Sequence, residues 1–291
     1  MSDVFQVLLV GVILGTIYGL VALGFGLIMG IMKFVNIAQG SFVILGGFIC
    51  YWIVTILHLD PYFSIPLVML AMFIVGLVLY RLLFSPLLKY PVAEMRLDKS
   101  LLITFGVVWM LDNLEILFWT PNSRSVVTTY SLNTVNVFGA ALSYTGLIGL
   151  GLAILAAAVL HIVLTRTYFG KHVRAATEDA GAASLSGVNV QRTYLISCGI
   201  AVALAGLAGA VIVTSYSVTP GGGMSWLLTA MVVVVLAGAN NINFMIPAGI
   251  ILAVIQSAST LFVNPAYQQP IALFIFLLII MFRPQGLFSR G

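Results

Sequence analysis

Residues 193–282 read TYLISCGIAVALAGLAGAVIVTSYSVTPGGGMSWLLTAMVVVVLAGANNINFMIPAGIILAVIQSASTLFVNPAYQQPIALFIFLLIIMF, without one Asp, Glu, Lys, Arg or His. Crossing a bilayer takes roughly 20 apolar residues, so this stretch alone has room for several spans. A soluble fold cannot hide so much apolar surface; lipid is the solvent that suits it. The rest of the chain agrees. Of its 291 residues 62% are hydrophobic and 7% charged, and mean hydropathy is +1.17, whereas about a quarter of the residues in soluble domains are charged. The sequence predicts an all-α, polytopic transmembrane helical bundle.

Cutting the apolar runs at charges, prolines and polar clusters gives spans near residues 5–32, 38–57, 62–83, 101–119, 145–165, 193–214, 225–238, 244–263 and 268–282. The run at 225–238 is short for a crossing and reads as a half-helix or a broken one. Eight or nine spans are therefore expected. Asp3 stands where a signal peptide would be basic, and the apolar run that follows exceeds an h-region, so the first run is read as a span.

Placing the N-terminus outside puts Lys33, Arg81, Lys89, Arg96, Lys99, Arg166, Lys171, Arg174, Arg192, Arg283 and Arg290 inside, with Arg124 outside. Positive residues are retained on the cytoplasmic side, which favours N-out, C-in. The same reading explains the net charge of +4 without a nucleic-acid partner. Two connections exceed turns: an inner one at 166–192 and an outer one at 121–144. The outer loop alternates apolar and polar residues around Val126, Val127, Thr129, Val135 and Val137, which suits either a short hairpin or an irregular loop. Neither is long enough for a soluble domain, so residues 1–291 are expected to form one transmembrane domain.

Small residues recur at four-residue steps: Gly11, Gly15, Gly19, then Ala22, Gly26, Gly30, and later Ala201, Ala205, Gly209. Lipid gives helices no hydrophobic reason to associate, so close backbone approach along such faces does much of the packing. Packing within one subunit is the simpler reading and a subunit interface the other. Cys50 and Cys198 lie inside apolar runs, which argues against a disulfide or metal framework.

Enzyme chemistry finds little support. His58, His161 and His172 show no metal-ligand spacing, and the chain has no phosphate-binding loop of the GxxxxGK type followed by Ser or Thr. No cofactor or metal is expected, and any ATP hydrolysis must belong to another chain. Three places remain informative. At the first junction Asn36 is placed to cap the next helix while Gln39 reaches back, near the membrane edge; Ser41 follows. Beyond a plain helix start, that N-terminus is a weak positive pole for an anionic or zwitterionic solute. Asp112 and Glu115 are the acids within a span, one turn apart, with Asn113 between them. They face either a cavity or Arg124 near the outer interface. The inner loop, from Gly170 through Arg174, Glu178 and Asp179 to Gly187 and Asn189, has an Ala-rich centre that favours one short helix with a Gly stop, in the simplest reading lying flat on the membrane.

At this loop the chain resembles the permeases of branched-chain amino acid (Liv-type) ABC importers. An Asn-x-Ala-His-Gly-acid junction is matched by residues 36–41, and a Gly-Lys-x-x-Arg-Ala loop ending near Gly-Val/Ile-Asn by 170–189. A Leu-Ala-Gly-x-Ala-Gly helix is matched by 204–209, and an Arg-Pro-x-Gly-Leu-Phe end by 283–288. The sequence departs from the pattern at Gln39, where His is usual, at Ser41, where an acid is usual, and at Asp112, where Gln is common. It departs again in the turn at 237–243 and at Gln256, often Glu.

The resemblance implies a permease subunit of an ATP-driven importer in the cytoplasmic membrane, paired with a second related permease, two ATP-binding cassette subunits and an extracytoplasmic solute-binding protein. It implies ATPase coupling through Gly170, Arg174, Glu178, Asp179 and Gly187, and a solute pathway near Asn36, Gln39, Ser41, Asp112, Asn113 and Glu115. A branched-chain amino acid is the expected solute, with urea or short amides as the alternative. A proton-coupled transporter using Asp112 or Glu115, and an intramembrane enzyme using the acids and histidines, are the readings from other classes.

Overall fold

The apolar runs fold as helices because, in lipid, each backbone N–H and C=O must find its partner within the segment. The computed structural model describes residues 2–88, 90, 93–128, 130, 131, 133–137, 140–238, 241–262, 264, 267–282 and 287, with the side chains of 2–4, 93, 94, 137, 140 and 280 excepted. In chain order the helices are α1 (Ser2–Met32), α2 (Gln39–Leu57), α3 (Pro61–Leu79), the one-turn α4 (Ser85–Leu87), α5 (Ala93–Trp119) and α6 (Tyr144–Arg166). They continue as α7 (Tyr168–Glu178), α8 (Ala180–Leu185), α9 (Val190–Ser215), α10 (Gly223–Ala237), α11 (Met245–Ser259) and α12 (Gln268–Phe282). Among the described residues, seven segments are long and apolar enough to cross a membrane, while α10 and α12 are shorter apolar helices. The expected half-helix at 225–238 is therefore short as read, and so is the last run.

Helix ends follow local chemistry. Asp60 opens α3 by accepting from the Tyr62 N–H at 2.9 Å, with Pro61 in the first turn. The Tyr130 hydroxyl donates to the other Asp60 oxygen at 2.5 Å; burial, aided by that contact, pushes the Tyr130 phenol up. Ser143 caps α6 and Asn189 caps α9. A five-residue π-helical turn, Tyr80–Phe84, joins α3 to α4.

Helix α9 is the central post: 89% of its 18-residue apolar stretch is buried, against 22% for that of α5 and 17% for that of α6. Its composition explains the difference. Small residues at Ala201, Ala205, Gly206 and Gly209 admit α2 and α3 so closely that a Cβ on Gly206 would strike the Met72 side chain and one on Gly209 the Val43 carbonyl. The glycine stripe of α1 does the same for α11: Gly11, Gly15 and Gly19 meet the backbones of Val254, Ile250 and Ile246 in turn. Both stripes thus pack helices of one subunit.

Of the outer loop, strands β1 (Thr134–Val137) and β2 (Ala140–Ser143) form a two-stranded antiparallel hairpin with Thr134 opposite Ser143. Val126 and Val127 stay outside it, and the loop is instead tied to the chain after α9 by a backbone bridge between Arg124 and Val218. Thr129, Lys89, the turn residues Ala239 and Asn240, and residues 283–288 apart from Leu287 lie outside the described residues.

Candidate functional site

The first junction lies inside the bundle and not at its edge. Gly24 of α1 stands beside the Gln39 amide and the Ala201 carbonyl, yet α1 continues eight residues to Met32, about 12 Å further. Lys33 ends α1 in the left-handed region, φ 55°, and residues 33–38 climb back to start α2 at the level of Gly24. Gln39 marks the depth: its Nε2 donates to the Ala201 carbonyl at 3.3 Å, and Ala201 is about 16 Å along α9 from Val190. Phe34 packs on Phe84, ring centroids 5.5 Å apart, and the Ile37 N–H donates to the Thr104 hydroxyl of α5 at 3.2 Å. Asn36, Gln39 and Ser41 are all buried.

Asn36 does not cap α2, contrary to the spacing. Its Oδ1 accepts from the Ala38 N–H at 3.2 Å, its Nδ2 donates to the Gln39 Oε1 at 3.4 Å, and the N-cap position is Ala38 without a side-chain cap. Gln39 gives its Nε2 to the Ala201 carbonyl of α9 while its Oε1 keeps the contact with Asn36, so its amide bridges a local and a tertiary partner. Gly40 completes the junction. A Cβ there would overlap the Gly223 carbonyl, so the N-termini of α2 and α10 meet backbone to backbone.

Across from this junction Ser41 Oγ donates to Asp112 Oδ1 at 2.9 Å. That bond brings together two of the residues expected at the site, and both depart from the Liv-type pattern. Asp112 is deeper than its distance to Trp119 suggests. Trp119 stacks on Phe48 and lies against Trp52, at centroid distances of 5.1 and 4.8 Å, so α5 stops short of the end of α2. Ser41, and Asp112 with it, is about 24 Å from Leu57 along α2.

Glu115, one turn on, is fully buried, and neither of its oxygens has a hydrogen-bond partner. Gly221, at φ 74°, lies beside Asp112: a Cβ built on it would come within 3.9 Å of Asp112 Oδ2. Asn113 is not part of this cluster: it is exposed and donates to the Trp109 carbonyl at 2.7 Å. The alternative pairing with Arg124 does not form among the described residues. Arg124 instead reaches the Thr120 hydroxyl at 3.4 Å and lies over the Tyr51 ring. Sequence reasoning missed Thr104, Ala201 and Gly221–Gly223, although three consecutive glycines before a helix were a visible sign of close backbone approach.

The inner loop forms two helices, α7 and α8, where one was expected. Asp179 divides them: at φ −149° its side chain accepts from the Gly181 and Ala182 N–H groups, at 2.8 and 3.0 Å, and so caps α8. Its residue type prefers that role to a helix interior. Gly187, at φ 85°, stops α8 as expected. Thr167 caps α7 through the Gly170 N–H at 3.1 Å. Arg174 donates to the Leu164 carbonyl at the end of α6, which pins α7 under the bundle while the charge stays exposed.

Gly170 permits that fold-back, because a Cβ would overlap the Leu164 carbonyl. Gly170→Ala is expected to leave the bundle folded but lift α7, visible as faster deuterium exchange of the amides at 168–178. Unchanged exchange would show that the close approach is dispensable.

The three histidines are scattered. His58 ends α2, His161 of α6 bonds Asn243 at 2.6 Å, and His172 sits on α7. None joins Asp112 and Glu115, which removes the basis for an intramembrane enzyme built on these groups. Among the described residues no three His, Cys, Asp or Glu side chains are placed to hold a metal ion.

Comparison with known proteins gives a consistent picture. Residues 7–282 match the family described as branched-chain amino acid transport system / permease component. The chain is 25% identical to the high-affinity branched-chain amino acid transport permease BraD of Pseudomonas aeruginosa, covering 98% of this chain and 95% of that one. It is 26% identical to LivH of Escherichia coli K12 over 96% of this chain and 94% of the relative. It is also 26% identical to a probable LivH of Methanocaldococcus jannaschii, over 92% and 87%. No solved structure matches the chain significantly.

Proposed function

The chain belongs to the family of permease components of branched-chain amino acid transport systems, and from that membership we propose that it is the membrane subunit of an ATP-driven amino acid importer. It is a multi-pass membrane protein and a transport subunit, not an enzyme. Its place is the cytoplasmic membrane, N-terminus outside and C-terminus inside, as one permease domain. Its partners are a second related permease, two ATP-binding cassette subunits that hydrolyse ATP, and an extracytoplasmic solute-binding protein.

Family membership carries this reading; the observation that supports a solute path is the Ser41–Asp112 hydrogen bond between α2 and α5 inside the bundle. Asp112 is only partly buried, on a helix whose neighbouring Trp109 and Leu117 are 61% and 74% exposed. Lipid is a costly cover for a carboxylate, whereas a second permease with a watery seam is not. We place the solute path along that seam, past Asn36, Gln39, Ser41, Asp112 and Glu115, with Asn113 at its margin. A carboxylate there suits a solute bearing an ammonium group, which favours a branched-chain amino acid over urea or short amides.

Coupling to the ATPase falls to the α7–α8 elbow, through Gly170, Arg174, Glu178, Asp179 and Gly187. Leu185 at the end of α8 is 92% exposed, a surface position that suits a docking contact. Arg174→Glu removes the bond to the Leu164 carbonyl and reverses an exposed charge at the contact; it should leave the bundle folded but uncouple ATP hydrolysis from uptake. The test is reconstitution of the permease pair with its ATPases and binding protein in proteoliposomes. Leucine uptake is expected to require ATP and to survive a protonophore. Uptake that persists without ATP and collapses with the protonophore would replace this reading with proton coupling.

A further inference from the structure

Helix α6 carries a groove outside the proposed solute path, and its lower wall shares Arg174 and Glu178 with the coupling elbow. Ile154, Ala157, Ala158 and His161 line a cavity of about 310 Å³ facing Leu23 of α1 and Ile246 of α11. Leu164 and Thr165 line a second, of about 250 Å³, whose other walls include Gly30 of α1 and Arg174 and Glu178 of α7. Ile242 and Asn243 line both, so the two are successive lengths of one groove. The six α6 positions recur every three or four residues and therefore share one face, which extends about 16 Å along the axis.

The polarity of the groove changes along its length. The stretch from Ile154 to Ala158 is apolar, held open by two alanines on a helix that is mostly unburied by protein and therefore faces lipid. The stretch at Thr165 adds polar groups to a still largely apolar lining, with Arg174, Thr177 and Glu178 in its wall; Arg166, Lys171 and His172, all exposed, flank those residues in sequence. The His161–Asn243 hydrogen bond joins the two walls where the change occurs. Apolar above, with the Arg174 guanidinium and the Glu178 carboxylate in the wall below and open to the bilayer on one side, the groove has the amphipathic pattern of one membrane lipid.

We propose that this groove holds one phospholipid, with an acyl chain along α6 and its phosphate on Arg174. The Leu164 carbonyl occupies one guanidinium donor; the rest of the fork remains for phosphate oxygens, a geometry that suits Arg better than Lys. Basic pockets between transmembrane helices on the cytoplasmic side are a recurrent form of lipid recognition. The bound lipid touches α1, α6 and α7 at once, and so braces the elbow beneath the bundle. Nothing in this depends on which solute is carried.

The test is native mass spectrometry of the importer, delipidated in detergent and then offered phosphatidylethanolamine, phosphatidylglycerol or diacylglycerol. The wild type is expected to retain about one phospholipid per chain and no diacylglycerol, as a phosphate-dependent site requires. Ala158→Phe, which fills the apolar length, and Arg174→Gln, which removes the phosphate donor at an exposed position, should each lower retention at least about fivefold. Leu155→Phe, on the lipid-facing side outside the groove, should not. Equal retention by Ala158→Phe or Arg174→Gln, equal retention of diacylglycerol, or cross-linking of a second protein chain into the groove would each overturn the assignment. If Ala158→Phe does not fold, Arg174→Gln alone decides.

Discussion

Asp112→Ala is expected to lower ATP-driven amino acid uptake by about tenfold or more while the importer still assembles and hydrolyses ATP at its basal rate. The magnitude follows from the bond. A hydrogen bond to a charged group contributes about 1.5–3 kcal/mol, and each 1.4 kcal/mol is about tenfold in an equilibrium or rate. Assembly should survive because Asp112 is only partly buried and holds no other element in place, whereas Gln39, Thr104 and the glycine contacts hold the junction independently.

Two further variants separate charge from geometry. Asp112→Asn keeps an acceptor for Ser41 and removes the charge; it should remain slow if the carboxylate meets the solute. The exchange Ser41→Asp with Asp112→Ser returns a carboxylate to the α2 side, where the Liv-type pattern commonly has its acid, and should recover much of the uptake. Full activity of Asp112→Ala, measured as initial leucine uptake in proteoliposomes, would remove this residue from the pathway.

The second large effect is on folding. Gly209→Leu should prevent accumulation of the folded permease, because Gly209 lies where α2 crosses α9 and any Cβ meets the Val43 carbonyl. Backbone cannot yield as a side-chain tip can, so forcing the helices apart costs about 3 kcal/mol and opens the packing around α9, the most buried of the candidate spans. Gly151→Leu supplies the contrast: its surroundings are open, and a leucine there faces lipid. Detergent-solubilised yield and thermal unfolding should fall sharply for the first and barely for the second. Equal behaviour of the two would mean that the α2–α9 crossing is not what holds the bundle.

Much of this architecture was legible in the residues because lipid makes the rules local. A long apolar run must be helical, so the positions of nearly all the helices, the shortness of α10 and the packing role of the Gly11–Gly15–Gly19 stripe could be read directly. The inner loop was legible as helical, but its division at Asp179 was not, since an acid in an Ala-rich run becomes a cap only when the chain turns there. The hairpin at 134–143 was half legible: alternation marked the loop, and pairing decided which part of it became strand.

Composition and periodicity therefore determined, without coordinates, that the chain is a membrane bundle and where most of its helices run, because each backbone polar group in lipid is satisfied within its own segment. Only the tertiary structure decided that residues 33–38 turn back into the bundle, that Gln39 reaches across to Ala201, and that Ser41 meets Asp112 while Asn113 faces away. Those contacts join residues far apart in sequence, through side chains with several possible partners, and which partner wins depends on the depth and angle at which the helices cross.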